Sequence, residues 1–397
     1  MGEYHRKGFG LKDTVKPMLH AAYASGVVDL LRSKGYQLTR GNLTVRLAKE
    51  FGFCFGVERA VDIAYQTRQR FPDKRIFITN EIIHNASVNQ RLREMGFIFL
   101  SGHDKAASYD EIQSSDVVVL PAFGVSIKEL ESLRAKNCTL VDTTCGAVVK
   151  VWVSVERFAK DGFTCIVHGK YNHEETVATC SRAGARYLVI RDIGEADYVA
   201  GYVLEKGNRA EFLQKFAKAL SPGFDPDKDL QRLGIANQTT MLSTESREIA
   251  ERLRAAFLKK YGATETAQRF RSLETVCNAT QDRQDAVKEL LSSPPDVMLI
   301  IGGYNSSNTT HLAELALQRC PAYHIDDAEC MISRNQIRHL KLGAKTETIG
   351  ENWWPEKAPL AIGVTAGAST PNNKIGDLIL RLFELAGEDI SSLVSGF

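Results

Sequence analysis

Val141-Asp142-Thr143-Thr144-Cys145-Gly146 closes an apolar run and opens a helical one. Beyond it, Val148, Val151, Trp152, Val155 and Phe158 share one face of a 3.6-residue period. A cysteine at such a junction meets the unpaired N–H groups and the positive dipole end of a helix N-terminus, which favour its thiolate. The same punctuation recurs twice. Phe51-Gly-Phe-Cys54-Phe-Gly56 is followed by Val57, Ala60, Val61 and Ala64, and Val276-Cys277-Asn278 by Ala286, Val287, Leu290 and Leu291. Three such thiolates, if they converge, make a metal or cluster site with three protein ligands and one open position.

Short apolar runs alternate with helical periods from about residue 46 onward. The clearest are Arg75–Thr79, Asp116–Leu120, Phe163–His168, Asp296–Ile301 and Ala358–Gly363. Near-continuous apolarity over four to six residues, with helices between, marks parallel strands buried on both faces. The fold class is therefore α/β, with several small parallel sheets. Cys54 and Cys145 stand 91 residues apart and Cys145 and Cys277 stand 132 apart, each interval the length of a small α/β domain. The expected organisation is an N-terminal extension over 1–45, α/β domains over 46–144, 145–274 and 275–385, and a tail over 386–397. The extension is mildly basic, with seven Lys and Arg against three Asp and Glu, and has a short helix around Val27–Leu31; a docking arm and a plain extension are both open to it, with packing the default expectation. The paired tryptophans of Gly350-Glu-Asn-Trp353-Trp354-Pro355 are expected to anchor a loop.

A chain of 397 residues with 44% hydrophobic and 25% charged residues supports a large core. A formal charge of +2 does not suggest nucleic acid as a partner, which needs concentrated basic surface. No apolar run reaches the length of a membrane span, and the N-terminal residues lack a secretory pattern. The eight cysteines then read as reduced thiols, and a framework of four disulfides is set aside. Cys138, Cys165, Cys180, Cys320 and Cys330 lie in apolar or helical contexts and read as small buried hydrophobes. No C-x-x-C pair is present, which argues against a zinc ribbon or a ferredoxin-type cluster.

Ligands of α/β sheets bind beyond the carboxyl ends of strands, and here those positions are loaded with polar residues. Gly302-Gly303-Tyr304-Asn305-Ser306-Ser307-Asn308-Thr309-Thr310 and Thr365-Ala-Gly367-Ala-Ser369-Thr370 each lead into a helix. Glycines admit close backbone approach, and hydroxyls and amides at a helix start can hold phosphate oxygens. Capping explains one Ser or Thr in each, hardly the whole run. Neither fits the Walker pattern. Three further clusters are Glu81-Ile-Ile-His84-Asn85, Asn172-His173-Glu174-Glu175 and Asn237-Gln238-Thr239-Thr240. Taken singly, His84 reads as a structural hydrogen-bonder and Glu175 as a surface helix start. Five clusters and three thiols in one architecture are hard to assign to capping.

These segments, with Gly52-Phe-Cys54-Phe-Gly-Val-Glu-Arg59 and Val276-Cys277-Asn278-Ala279-Thr280, resemble the 4-hydroxy-3-methylbut-2-enyl diphosphate reductase family in order, from about residue 46 to 385. The resemblance implies a trefoil of three α/β domains around a central iron–sulfur cluster. It implies that Cys54, Cys145 and Cys277 hold a [4Fe–4S] cluster whose fourth iron is open to the substrate hydroxyl. Two electrons and two protons then remove that oxygen as water, giving isopentenyl and dimethylallyl diphosphates. By the same resemblance Glu175 is the proton-relay carboxylate and Thr239 lies beside the hydroxyl. His84, Ser306, Asn308 and Ser369 match diphosphate contacts, with His173 and Ser307 also in the pocket. A ferredoxin or flavodoxin is the implied electron donor. The implied location is the cytoplasm, or the plastid stroma for a mature form.

One departure from the family pattern stands out. Many bacterial members carry a histidine before Gly-Val-Ser, where it helps to hold the diphosphate. This chain reads Leu120-Pro-Ala-Phe123-Gly124-Val125-Ser126, and Phe123 has no hydrogen bond to donate. Phe123, the N-terminal lead and the Asn-Trp-Trp-Pro loop resemble the plant and cyanobacterial branch. A non-catalytic iron–sulfur sensor and a three-thiolate zinc hydrolase are the competing readings. Glu175 with Thr239 speaks against the sensor, which has no use for a proton donor at an open site.

Overall fold

The computed structural model describes residues 2–102 and 105–394. It is an α/β protein whose main sheets are built of parallel strands, and its residues group into two compact units, neither of them continuous in sequence. The first comprises Met1–Arg6, Ile76–Asn80 and His103–Cys277, and the second Lys7–Arg75, Glu81–Gly102 and Asn278–Phe397.

Two sheets lie in the first unit. Four strands of one five-stranded sheet belong here, in the order Tyr4–His5, Thr139–Asp142, Val117–Leu120, Ile76–Ile78, parallel to one another, with Val119 opposite both Ile78 and Val141. Every residue of Val117–Leu120 is buried, as a strand covered on both faces requires. The other runs Phe270–Ser272, Leu233–Asn237, Thr164–His168, Tyr187–Ile190, again parallel throughout. Its register sets His168 opposite Asn237, so both end at the same rim. Helix Gly146–Lys160 buries the five residues expected of it, Val148, Val151, Trp152, Val155 and Phe158.

The larger sheet of the second unit runs Ala322–Ile325, Val297–Ile301, Leu360–Ala366, Leu43–Leu47, Gln37–Arg40, parallel except for the last pair. Helix Phe55–Arg70 buries Ala60, Val61 and Ala64. Helix Asn278–Leu290 buries Ala286, Val287 and Leu290. Helix Asn372–Ala386 buries Ile375, Leu378, Ile379, Leu382 and Phe383 in a core shared with Val297, Leu299 and Val364.

Residues of the 1–45 segment pack into the core, the default expected of it, and do not form a free arm. Leu43, Val45 and Leu47 are buried while Thr44 and Arg46 are half-buried, and this period of two pairs the strand with Leu360–Val364. Val27, Val28 and Leu31 of helix Gly26–Ser33 join the same core. The boundary expected at residue 46 therefore falls inside a sheet, and residues 7–75 pack with 278–394. In the segment expected as a tail, Leu393 is buried in that core, and residues 395–397 lie outside the described residues.

The paired tryptophans do anchor their loop. Trp353 is buried and its indole N–H donates to the Ser333 carbonyl at 2.8 Å, while Trp354 is half-buried over the Arg334 guanidinium. Trp353→Ala removes a fully packed ring and its bond, and should cost about 3–5 kcal/mol of unfolding free energy. Chemical denaturation of the two single variants checks this, with Trp354→Ala the milder change.

Candidate active site

In the first unit the polar strand ends form one connected chain of contacts. Cys145 starts helix Gly146–Lys160, and its backbone N–H donates to the Ala122 carbonyl at 2.9 Å. The neighbouring Phe123 meets the His173 ring edge-on, with centroids 5.7 Å apart. His173 caps helix Glu174–Cys180 through its ring, Nδ1 accepting the Glu175 N–H at 3.2 Å. That bond requires a lone pair on Nδ1, so a neutral His173 carries its proton on Nε2.

Glu175 is buried, with a relative exposure of 2%. Its carboxylate accepts both the backbone N–H of Thr239 at 2.6 Å and the Thr239 hydroxyl at 2.8 Å. The Thr239 carbonyl in turn accepts the Cys277 N–H at 3.0 Å. Gln238 locks this rim: its Oε1 accepts from the Lys170 N–H and the Thr176 hydroxyl, both at 3.1 Å, and its Nε2 donates to Thr240. Glu175 is thus no surface helix start. It is a fixed, buried carboxylate one residue removed from a thiol.

The second unit holds the other residues singled out in the sequence. Cys54 starts helix Phe55–Arg70, and its N–H donates to the Ala368 carbonyl at 3.2 Å. The Ala368 N–H donates to Asn308 Oδ1 at 2.9 Å. This settles the amide orientation of Asn308, whose Nδ2 is buried and has no hydrogen-bond partner among the described residues. A buried N–H pair without an acceptor is costly, and an anionic ligand oxygen would satisfy it. Ser306 caps helix Ser307–Leu317 by accepting the Thr309 N–H, and Ser307 is buried in the first turn. Ser369 donates to the His84 carbonyl at 3.0 Å, and His84 Nδ1 pairs with Glu81 at 3.0 Å.

At Gly303 two backbone segments run close together, since a Cβ there would lie 2.5 Å from the His84 carbonyl oxygen. Arg283 holds the turn ahead of Cys54, its Nη2 donating to the Gly52 carbonyl at 2.6 Å, and Gly52 has φ +67°. Sequence reasoning assigns no role to Gln238 or Arg283. Gln238 stands inside a quoted cluster. Arg283 carries a signal only in hindsight, as the one charge on the face of Thr280, Gln284 and Val287.

The remaining cysteines differ from these three. Cys54, Cys145 and Cys277 are partly exposed and Cys138, Cys165, Cys180 and Cys330 are buried, with none of the eight in a disulfide. Cys320 is half-buried rather than buried as expected. Burial pushes the Cys138, Cys180 and Cys320 thiols up and that of Cys165 up to about 12, which suits packing and not ligation.

Gly303→Ala should destabilise the protein by about 1–3 kcal/mol, because only backbone movement makes room for the methyl. Gly201→Ala, in helix Ile193–Glu205 with nothing within 4 Å of the new Cβ, should leave stability unchanged or raise it. Thermal unfolding of the two variants checks the contrast.

Residues 45–383 match the family model described as LytB protein. The chain is 50% identical over 383 residues to the 4-hydroxy-3-methylbut-2-enyl diphosphate reductase of Thermosynechococcus vestitus, covering 96% of this chain and 94% of that one. It is 51% identical over 385 residues to the protein of the same name from Nostoc sp., with 96% and 94% covered. Both relatives are cyanobacterial, as the branch features of the sequence imply. Among solved structures, the E-1-hydroxy-2-methyl-but-2-enyl-4-diphosphate reductase of Plasmodium falciparum shares the fold, with a TM-score of 0.63 at 21% identity over 85% of this chain and 87% of that one. With half its residues shared across nearly the full length of two such relatives, this chain belongs to the LytB protein family.

Proposed function

We propose that this protein reductively dehydroxylates 4-hydroxy-3-methylbut-2-enyl diphosphate, giving isopentenyl and dimethylallyl diphosphates at the end of the non-mevalonate isoprenoid route. The observation that carries the reading is the Glu175–Thr239–Cys277 connection. A buried carboxylate bonded to a hydroxyl, and through one carbonyl to a thiol-bearing residue, is the arrangement a proton relay beside a redox group needs. A binding protein without chemistry has no use for it.

Cys54, Cys145 and Cys277 would hold an iron–sulfur cluster of the [4Fe–4S] type. The donor set fits such a group: three partly exposed thiols, each at a helix start, in a chain whose other thiols burial keeps protonated or packs away. When bound, the cluster supplies electrons and a Lewis-acidic iron. The other roles belong to side chains. Asn308 offers its amide N–H groups to the diphosphate, joined by Ser306, Ser307, Ser369 and His84. His173, which caps the helix of Glu175, is a further residue of the substrate pocket by the family resemblance. Glu175 holds the proton that the leaving hydroxyl oxygen takes, and Thr239 fixes both carboxylate oxygens so that the proton sits at a set place. Phe123 offers no donor, so the neighbouring histidine and the amides carry the diphosphate's charge without it. Among the described residues no helix is long and apolar enough to cross a membrane. The donor of electrons is a small ferredoxin or flavodoxin.

Iron analysis tests the ligand set. Protein purified without oxygen should be brown, and Ser in place of Cys54, Cys145 or Cys277 should each abolish bound iron, while Cys138→Ser keeps it. Equal iron in all four variants would sink the assignment.

Anaerobic turnover of the allylic diphosphate with a reduced dye tests the reaction. Glu175→Gln should keep its iron and lose about 10²-fold or more in kcat. Asn308→Ala should raise KM about tenfold, the worth of one charge-assisted bond, with little change in kcat. Near-normal turnover by the Glu175 variant would remove that carboxylate from the chemistry.

A further inference from the structure

Asp142 stands three residues before Cys145 and is 3% exposed, so its carboxylate must be answered by partners. Two of these are local: the Thr144 N–H at 2.9 Å and the Thr144 hydroxyl at 2.5 Å, both on Oδ1. The others come from the far end of the chain. The Tyr4 hydroxyl donates to Oδ2 at 2.6 Å, and Arg6 Nε lies 3.3 Å from the same oxygen. Tyr4–His5 is itself a strand, paired in parallel with Leu140 and Val141, and the Leu140 N–H donates to the Glu3 carbonyl at 2.8 Å. Tyr4 is 39% exposed, and its ring lies beneath the Arg134 guanidinium at 5.3 Å. Burial and the adjacent carboxylate push the Tyr4 hydroxyl well up, so it stays a donor.

We propose that Tyr4 and Arg6 form a strap that holds the Cys145 loop in place through the carboxylate of Asp142. The route is short. Tyr4 and Arg6 fix Oδ2, Oδ1 fixes the backbone and side chain of Thr144, and Thr144 is joined to Cys145. Without the strap, Asp142 would be a buried charge short of donors, and the loop would move to rehydrate it. Residues 4–6 lie outside the span matched by the family model, so nothing in that match assigns them a role. Tyr4 and Arg6 are positioning residues, acting on Cys145 through Asp142. What Cys145 holds rests on the function proposed above, but the strap does not.

Hydrogen exchange of the full-length chain, read by mass spectrometry, tests the strap in Tyr4→Phe and in Tyr4→Phe combined with Arg6→Gln. Phenylalanine keeps the strand pairing and the ring against Arg134, and removes only the hydroxyl. Amides of residues 143–146 should exchange about tenfold faster in the double variant and less so in the single one. Peptides covering 164–168 and 275–280 should be unchanged. Unaltered exchange over 143–146 overturns the proposal, and so does an equal acceleration everywhere, which would make the strap a general stabiliser. Iron loss in air from reconstituted protein is the second readout, expected to be several-fold faster in the double variant. A native chain that takes up no iron at all would defeat the proposed function, while the exchange result would still decide the strap.

Discussion

A parallel strand covered on both faces can carry no polar chemistry along its length, so that chemistry gathers at its carboxyl end. The rest of this structure follows from that constraint. Val117–Leu120, Thr139–Asp142, Thr164–His168, Leu233–Asn237 and Val297–Ile301 are buried from end to end. Beyond them come the Phe123 turn, Thr144-Cys145, His173-Glu174-Glu175, Thr239 and the Gly302–Asn308 run. Helices that start at these ends bring unpaired N–H groups to the same rims, and side chains from neighbouring strand ends meet there.

Burial then selects which of those side chains can be fixed. An ionised carboxylate away from water is tolerated only when donors surround it. Glu175 has the amide and hydroxyl of Thr239, and Asp142 has Thr144, Tyr4 and Arg6. Each is therefore a carboxyl group held at a set position. Asn308 shows the opposite condition. Its oxygen is taken by Ala368, and its buried N–H groups are left without an acceptor. A fold tolerates such a group where a ligand completes it, and in this chain the group stands on the loop system that also holds Cys54.

Much of this was legible in the order of residues. The helices after Cys54, Cys145 and Cys277 and the five apolar strands stand within a few residues of where their periods place them, because a buried stripe at 3.6 residues and a run buried on two faces are local signals. The alternation in Leu43-Thr-Val-Arg-Leu47 is equally local, but a five-residue strand does not name its partner, and Leu360–Val364 lies more than 300 residues away. Tyr4 gave no signal at all. A two-residue strand has no period, and its meaning comes only from Leu140, Val141 and Asp142.

The sequence by itself determined the α/β class, the three thiols set at helix starts and the polar clusters at strand ends, since each depends on neighbours within a turn or a strand. Tertiary structure alone decided that Glu175 is clasped by Thr239, that the Asn308 amide is turned by Ala368, and that Tyr4 and Arg6 reach the loop of Cys145. Those pairings join residues 64, 60 and more than 130 positions apart. A hydrogen bond of that span is set by strand register and loop closure, and no local propensity encodes it.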